Sequence, residues 1–106
     1  MTINHPSIDA EIRATRALIK FWEEHGGTPL PLVKLNDCLR ALETYDLPTV
    51  FRINHELPTG RMGSFDDWIP DPVFDHETDE YVWAVFEALV IRWKLRMNLL
   101  EQQRGS

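Results

Sequence analysis

The sequence predicts an all-α domain, a compact bundle of about four helices with a long irregular loop before the last helix. Three observations predict it. Apolar residues recur at helical spacing in four separate stretches, and proline or glycine stands between those stretches. The 106 residues suffice for one core but not two, so a single domain over residues 1–106 is expected. Four tryptophans and five phenylalanines supply the large side chains that let a small core close.

The first helix is expected from a cap at Asn4 or Ser7 to about His25. Ile8, Ile12, Ile19 and Trp22 share one stripe, with Ala14, Leu18 and Phe21 beside it, and Gly26-Gly27 stops the helix. Thr28-Pro29-Leu30-Pro31 then turns the chain. Leu32, Leu35, Leu39 and Leu42 mark a second helix of about three turns, with Cys38 on its apolar side. Asp46 before Leu47-Pro48 reads as an N-cap with proline in the first turn. The short third helix is expected to carry Val50, Phe51, Ile53 or Asn54, and Leu57, and Pro58 ends it.

Residues 58–77 show no helical period, although a short extended piece fits Phe65–Ile69. A loop of this length is usually functional or packed by its own side chains. The last and longest helix is expected from a cap at Asp75 or Thr78 to about Gln102, with Asp79 and Glu80 in its first turn. Its apolar residues cover most of its circumference, which predicts a central helix packed on several sides. Trp22, Trp83 and Trp93 lie on helical stripes and are assigned to the core. Trp68 either plugs the end of the bundle or serves as an exposed anchor.

Charge narrows the functional classes. Of the net −6, the stretch Glu56–Glu80 holds eight carboxylates against one cation, Arg61. Such a field repels phosphate backbones and anionic lipid, so neither nucleic acid nor a membrane is expected as partner. It attracts a basic protein surface. A single cysteine allows no internal disulfide and no Cys-based zinc site. The first sixteen residues lack the apolar core of a leader peptide, and Tyr81–Ile91, broken by Glu87, is too short to span a bilayer. The expected compartment is the cytoplasm.

The chemical candidates are weak. Gly60-Arg61-Met62-Gly63-Ser64 has no preceding strand and faces two aspartates, so it reads as a tight turn and not as a phosphate cradle. The acids and His76 of residues 71–80 match no calcium-loop spacing, and His55-Glu56 and His76-Glu77 lack a second histidine four residues on. No metal or cofactor is expected. Ser64 lies outside a Gly-x-Ser-x-Gly elbow, and no nucleophile, base and orienter can be assembled, so no catalytic residues are assigned. The four histidines read as caps or solvated side chains. An indole rimmed by carboxylates has the character of a protein-binding hot spot. The expected contact residues are therefore Asp66, Asp67, Trp68, Asp71, Phe74, Asp75 and Glu77.

The run Gly60-Arg61-Met62-Gly63-Ser64-Phe65-Asp66-Asp67 resembles the Gly-x-Met-Gly-Ser motif, continued by Phe or Leu, Asn or Asp, and Asp, of a family of small bacterial domains of uncharacterised function. Glu43–Pro48 stands at the family's upstream cap and Tyr81–Leu100 at its following helix, so the similarity covers roughly the last two thirds of the chain. The family usually has a second glycine at Arg61 and often asparagine at Asp66. In size and acidity such domains resemble immunity proteins encoded beside secreted bacterial toxins. The resemblance implies a cytoplasmic inhibitor that occludes a cognate toxin's active site, with no activity of its own. The rival expectation is a homo-oligomeric structural or regulatory protein, a homodimer through the last helix being its simplest form. A metal-dependent enzyme ranks below both.

Overall fold

The computed structural model describes residues 5–57 and 68–105. These residues form four helices, α1 (His5–Glu24), α2 (Pro29–Glu43), α3 (Leu47–Glu56) and α4 (Asp79–Gly105), and no strand occurs among them. The motif Gly60–Asp67 lies outside the described residues, as does all of the expected extended piece except Trp68 and Ile69, which are irregular.

Local chemistry sets the helix ends. Gly26, with φ of 72°, turns the chain out of α1, and the Gly27 N–H returns to the Trp22 carbonyl at 2.9 Å. At Gly27 even one added carbon would enter the Trp22 indole, whose Nε1–H donates to the Thr28 carbonyl at 2.8 Å. Gly27→Ala is therefore expected to destabilise the fold by about 1–3 kcal/mol, the usual range for overpacking. Urea denaturation measures it, and an unchanged midpoint would contradict the close approach.

The second helix begins at Pro29, earlier than expected. Both prolines fit because first-turn N–H groups need no helical acceptor. It ends in a Schellman arrangement: Asp46 N–H reaches the Ala41 carbonyl at 2.8 Å and Tyr45 N–H the Leu42 carbonyl at 3.2 Å. Tyr45 takes the left-handed position (φ 58°) that glycine usually fills. Asp46 then caps α3, accepting the Thr49 hydroxyl at 2.6 Å. At the other end of α3, Lys94 donates to the carbonyls of Asn54 (2.6 Å) and Leu57 (3.0 Å), a cation on the negative end of the helix. Thr78 caps α4, its hydroxyl accepting the Tyr81 N–H at 3.1 Å.

The helices form a four-cornered bundle. α1 packs on α2 and α4, α3 packs on α2 and α4, and the diagonal pairs make no close backbone approach among the described residues. One core joins all four, with Trp22, Leu18, Leu35, Leu42, Val50, Val82, Trp93 and Met97 inaccessible to solvent.

This arrangement corrects two expectations about α4. It is a corner and not a central helix, because among the described helices only α1 and α3 flank it. Trp83 consequently lies outside the core at 51% exposure, its Nε1–H held by Glu87 at 3.0 Å. Val82, Phe86, Val90, Trp93, Met97 and Leu100 turn inward, whereas Ile91, Leu95 and Leu99 point outward from the opposite face.

The core also holds a carboxyl. Glu11 is 0% exposed, and among the described residues neither of its carboxyl oxygens has a hydrogen-bond partner. Burial pushes its pKa up to about 9, against the opposing pull of Arg96. It is therefore neutral at pH 7. Burial, reinforced by Glu11, pushes the Cys38 thiol up to about 12. Beside Glu11, Thr15 donates to the Glu11 main-chain carbonyl at 2.8 Å and accepts the Trp93 indole N–H at 3.1 Å.

Candidate protein-binding edge

The irregular segment leading into α4 is fixed at both ends. At its start the Trp68 ring lies 4.6 Å from that of Trp22 and meets Phe86 edge-on at 5.1 Å. The indole is thus half-buried in the end of the bundle, and Pro70 is buried beyond it. Of the two roles open to Trp68, the plug is the one the structure shows; as an exposed anchor it is corrected.

At the far end Glu77 closes a small loop. Its Oε1 accepts the N–H groups of Val73 (3.0 Å) and Phe74 (2.9 Å), and its Oε2 lies 2.8 Å from His25 Nε2. The His25 Nδ1 is 2.9 Å from the Phe21 carbonyl. Both ring nitrogens thus face acceptors, and both contacts are hydrogen bonds when both nitrogens carry protons. Burial alone would raise the Glu77 pKa. The two backbone N–H donors and His25 outweigh it and hold the pKa at about 2. Glu77 was expected on a docking face. It is instead turned inward, its carboxylate set against His25 just beyond the end of α1.

That closure displays the residues between. Asp71 and Asp75 are exposed, and so are Ile69 (69%), Val73 and Phe74. Asp79 and Glu80 continue the acidic surface into the first turn of α4. Among the described residues no Lys, Arg or His forms an ion pair with these four acids. An aromatic row supports them. Phe21 stacks on His25 at 4.0 Å, His25 meets the edge of Phe74 at 5.9 Å, and His76 bridges Phe74 and Tyr81.

Of the seven contact residues expected from the sequence, Asp71, Phe74 and Asp75 lie together on this outward edge. Trp68 and Glu77 hold the edge in place from behind, and Asp66 and Asp67 lie outside the described residues. His25 was missed. It read as a helix-end histidine, and no local pattern announces a partner 52 residues away.

Among the described residues no three His, Cys, Asp or Glu side chains gather where a metal ion could sit. Cys38 is buried, which keeps its thiol from acting as an accessible nucleophile. A groove of about 360 Å³ between α1 and α4 has Ala10, Ala14 and Ala17 among its walls with Arg13, Arg92 and Arg96 around them, so it is opposite in sign to the acidic edge. No described helix is long and apolar enough to cross a membrane. Comparison of the chain with protein-family models, curated proteins and solved structures gives no match.

Proposed function

We propose that this chain is a protein-binding inhibitor that neutralises a bacterial toxin by covering the toxin's active cleft, acting in the cytoplasm and catalysing nothing itself. One observation carries the reading. Asp71 and Asp75 stand outward beside exposed Ile69, Val73 and Phe74, without ion-pair partners among the described residues, on a segment tied down at both ends. Unpaired acids around apolar side chains suit a basic, partly apolar protein surface such as the cleft of an enzyme that acts on anionic substrates. A tethered segment also loses less conformational freedom on docking than a loose one. Asp66 and Asp67 would extend the same field.

A growth assay tests this. The protein encoded by the adjacent reading frame is expressed alone and together with this chain. Toxicity alone and rescue on co-expression are expected, with rescue lost in Asp71→Lys/Asp75→Lys although the variant melts like the wild type. Rescue undiminished by that variant would remove the acidic edge from the mechanism.

A further inference from the structure

The groove between α1 and α4 gathers three guanidinium groups that no described acid neutralises. Arg13 stands on the α1 wall, and Arg92 and Arg96, one turn apart, share a face of α4. Arg16 is paired with Glu43 and Arg40 with Asp37, whereas these three form no ion pair or side-chain hydrogen bond among the described residues. Asp9, one turn before Arg13, does not pair with it. Glu11, the acid on which Arg96 pulls, is buried and uncharged at pH 7. Between the cations lie Ala10, Ala14 and Leu89, so the floor is apolar.

We infer that this groove binds a soluble phosphate monoester, its phosphate held by Arg13, Arg92 and Arg96 and a small apolar body resting on the alanine floor. Charge selects the head group. Guanidinium forks present paired N–H donors that match oxyanions. A phosphate monoester brings roughly two negative charges and three acceptor oxygens, enough to engage forks from both walls. A carboxylate brings one charge and two oxygens, which a single fork satisfies. Volume selects the size: about 360 Å³ falls at the low end of small-molecule sites, which span roughly 300–1,000 Å³. The wider field excludes larger anions. The chain is net −6 with these arginines counted, so the surface beyond them repels an extended polyanion, an acidic protein or an anionic bilayer. A small anion meets chiefly the groove's own potential, because more distant charges are screened. The acidic edge shares none of these residues, so the inference does not depend on the function proposed above.

Titration of the isotope-labelled full chain with phenyl phosphate, followed by amide chemical shifts at constant ionic strength, tests it. Saturable shifts are expected around residues 10–17 and 89–96. Benzoate, the same ring with a carboxylate, should bind at least about tenfold more weakly. Arg13→Gln/Arg92→Gln should weaken phenyl phosphate at least about tenfold with the helical circular dichroism unchanged. Arg13→Lys/Arg92→Lys keeps the charge without the fork and should restore only part of that loss. No saturable shift, benzoate bound as tightly as phenyl phosphate, or binding indifferent to the glutamine variant would each overturn the inference. A groove that answers to phosphatidylglycerol vesicles or an oligoglutamate peptide but not to phenyl phosphate would overturn it equally.

Discussion

Replacing Glu11 by Met raises the stability of the fold at pH 7 by about 3 kcal/mol and flattens its dependence on pH. Burial raises the folded pKa of Glu11 from 4.5 to about 9. Below pH 4.5 the carboxyl is protonated in both states and its titration costs nothing. Between those two values the unfolded chain releases the proton and the folded chain keeps it, so stability falls with rising pH by roughly 1.4 kcal/mol per unit. The loss levels off once the folded form also ionises, near pH 9. Methionine fills a similar volume with no group to desolvate. Chemical denaturation from pH 5 to pH 9 measures both effects. Equal slopes for the wild type and Glu11→Met would show that Glu11 is solvated or paired after all.

Removing His25 loosens the acidic edge without melting the bundle. In His25→Ala the exchange of the Val73 and Phe74 amides, which donate to Glu77, is expected to accelerate at least about tenfold relative to the wild type, while amides inside the helices keep their protection. Glu77→Gln should act in the same direction, because the acceptor loses its charge. Acid provides a third route. The Glu77 pKa is depressed to about 2, so its contribution is present above the ordinary carboxylate value near 4.5 and is lost as pH falls toward 2. Glu77 therefore costs stability as pH falls below 4.5, and Glu11 costs stability as pH rises above it. Unaltered exchange at the two amides in His25→Ala would show that His25 does not hold the segment.

The contrast between these two acids shows how far the sequence can be read. Helix number and most boundaries were legible because caps and stops act locally: Asp46 and Thr78 cap, and Gly26 with Gly27 stops, wherever the chain goes next. Trp22 and Trp93 were legible as core because they share stripes with other buried residues. Trp83 has the same surroundings in sequence and lies outside. The difference is which side of α4 receives neighbours, and that depends on α1 and α3. Glu11 was illegible for a related reason. A glutamate one turn after Ile8 suits a solvated flank, yet it faces the bundle axis, buried within electrostatic reach of Cys38 and Arg96. The proline-bearing start of α2 was read as a turn because Pro29 and Pro31 suit either a turn or a first helical turn.

The candidate edge was half legible. Acidity and exposed apolar side chains are local properties, and Asp71, Phe74 and Asp75 stand where an outward segment would put them. The inward turn of Glu77 and Trp68 rests on contacts with His25 and Trp22, about fifty residues earlier. Sequence alone weighs Glu77 as one more solvated acid. The structure makes it the residue that fixes the direction of its neighbours.

The central claim is that Asp71 and Asp75 steer a basic protein onto this edge. Association with a partner identified by the growth assay, followed by stopped flow as salt is raised, tests it most directly. The account predicts that the wild-type rate falls steeply with salt, and that Asp71→Lys/Asp75→Lys associates about 10–100-fold more slowly at low salt with a nearly flat dependence. Matching rates and matching salt slopes for the two proteins would contradict it.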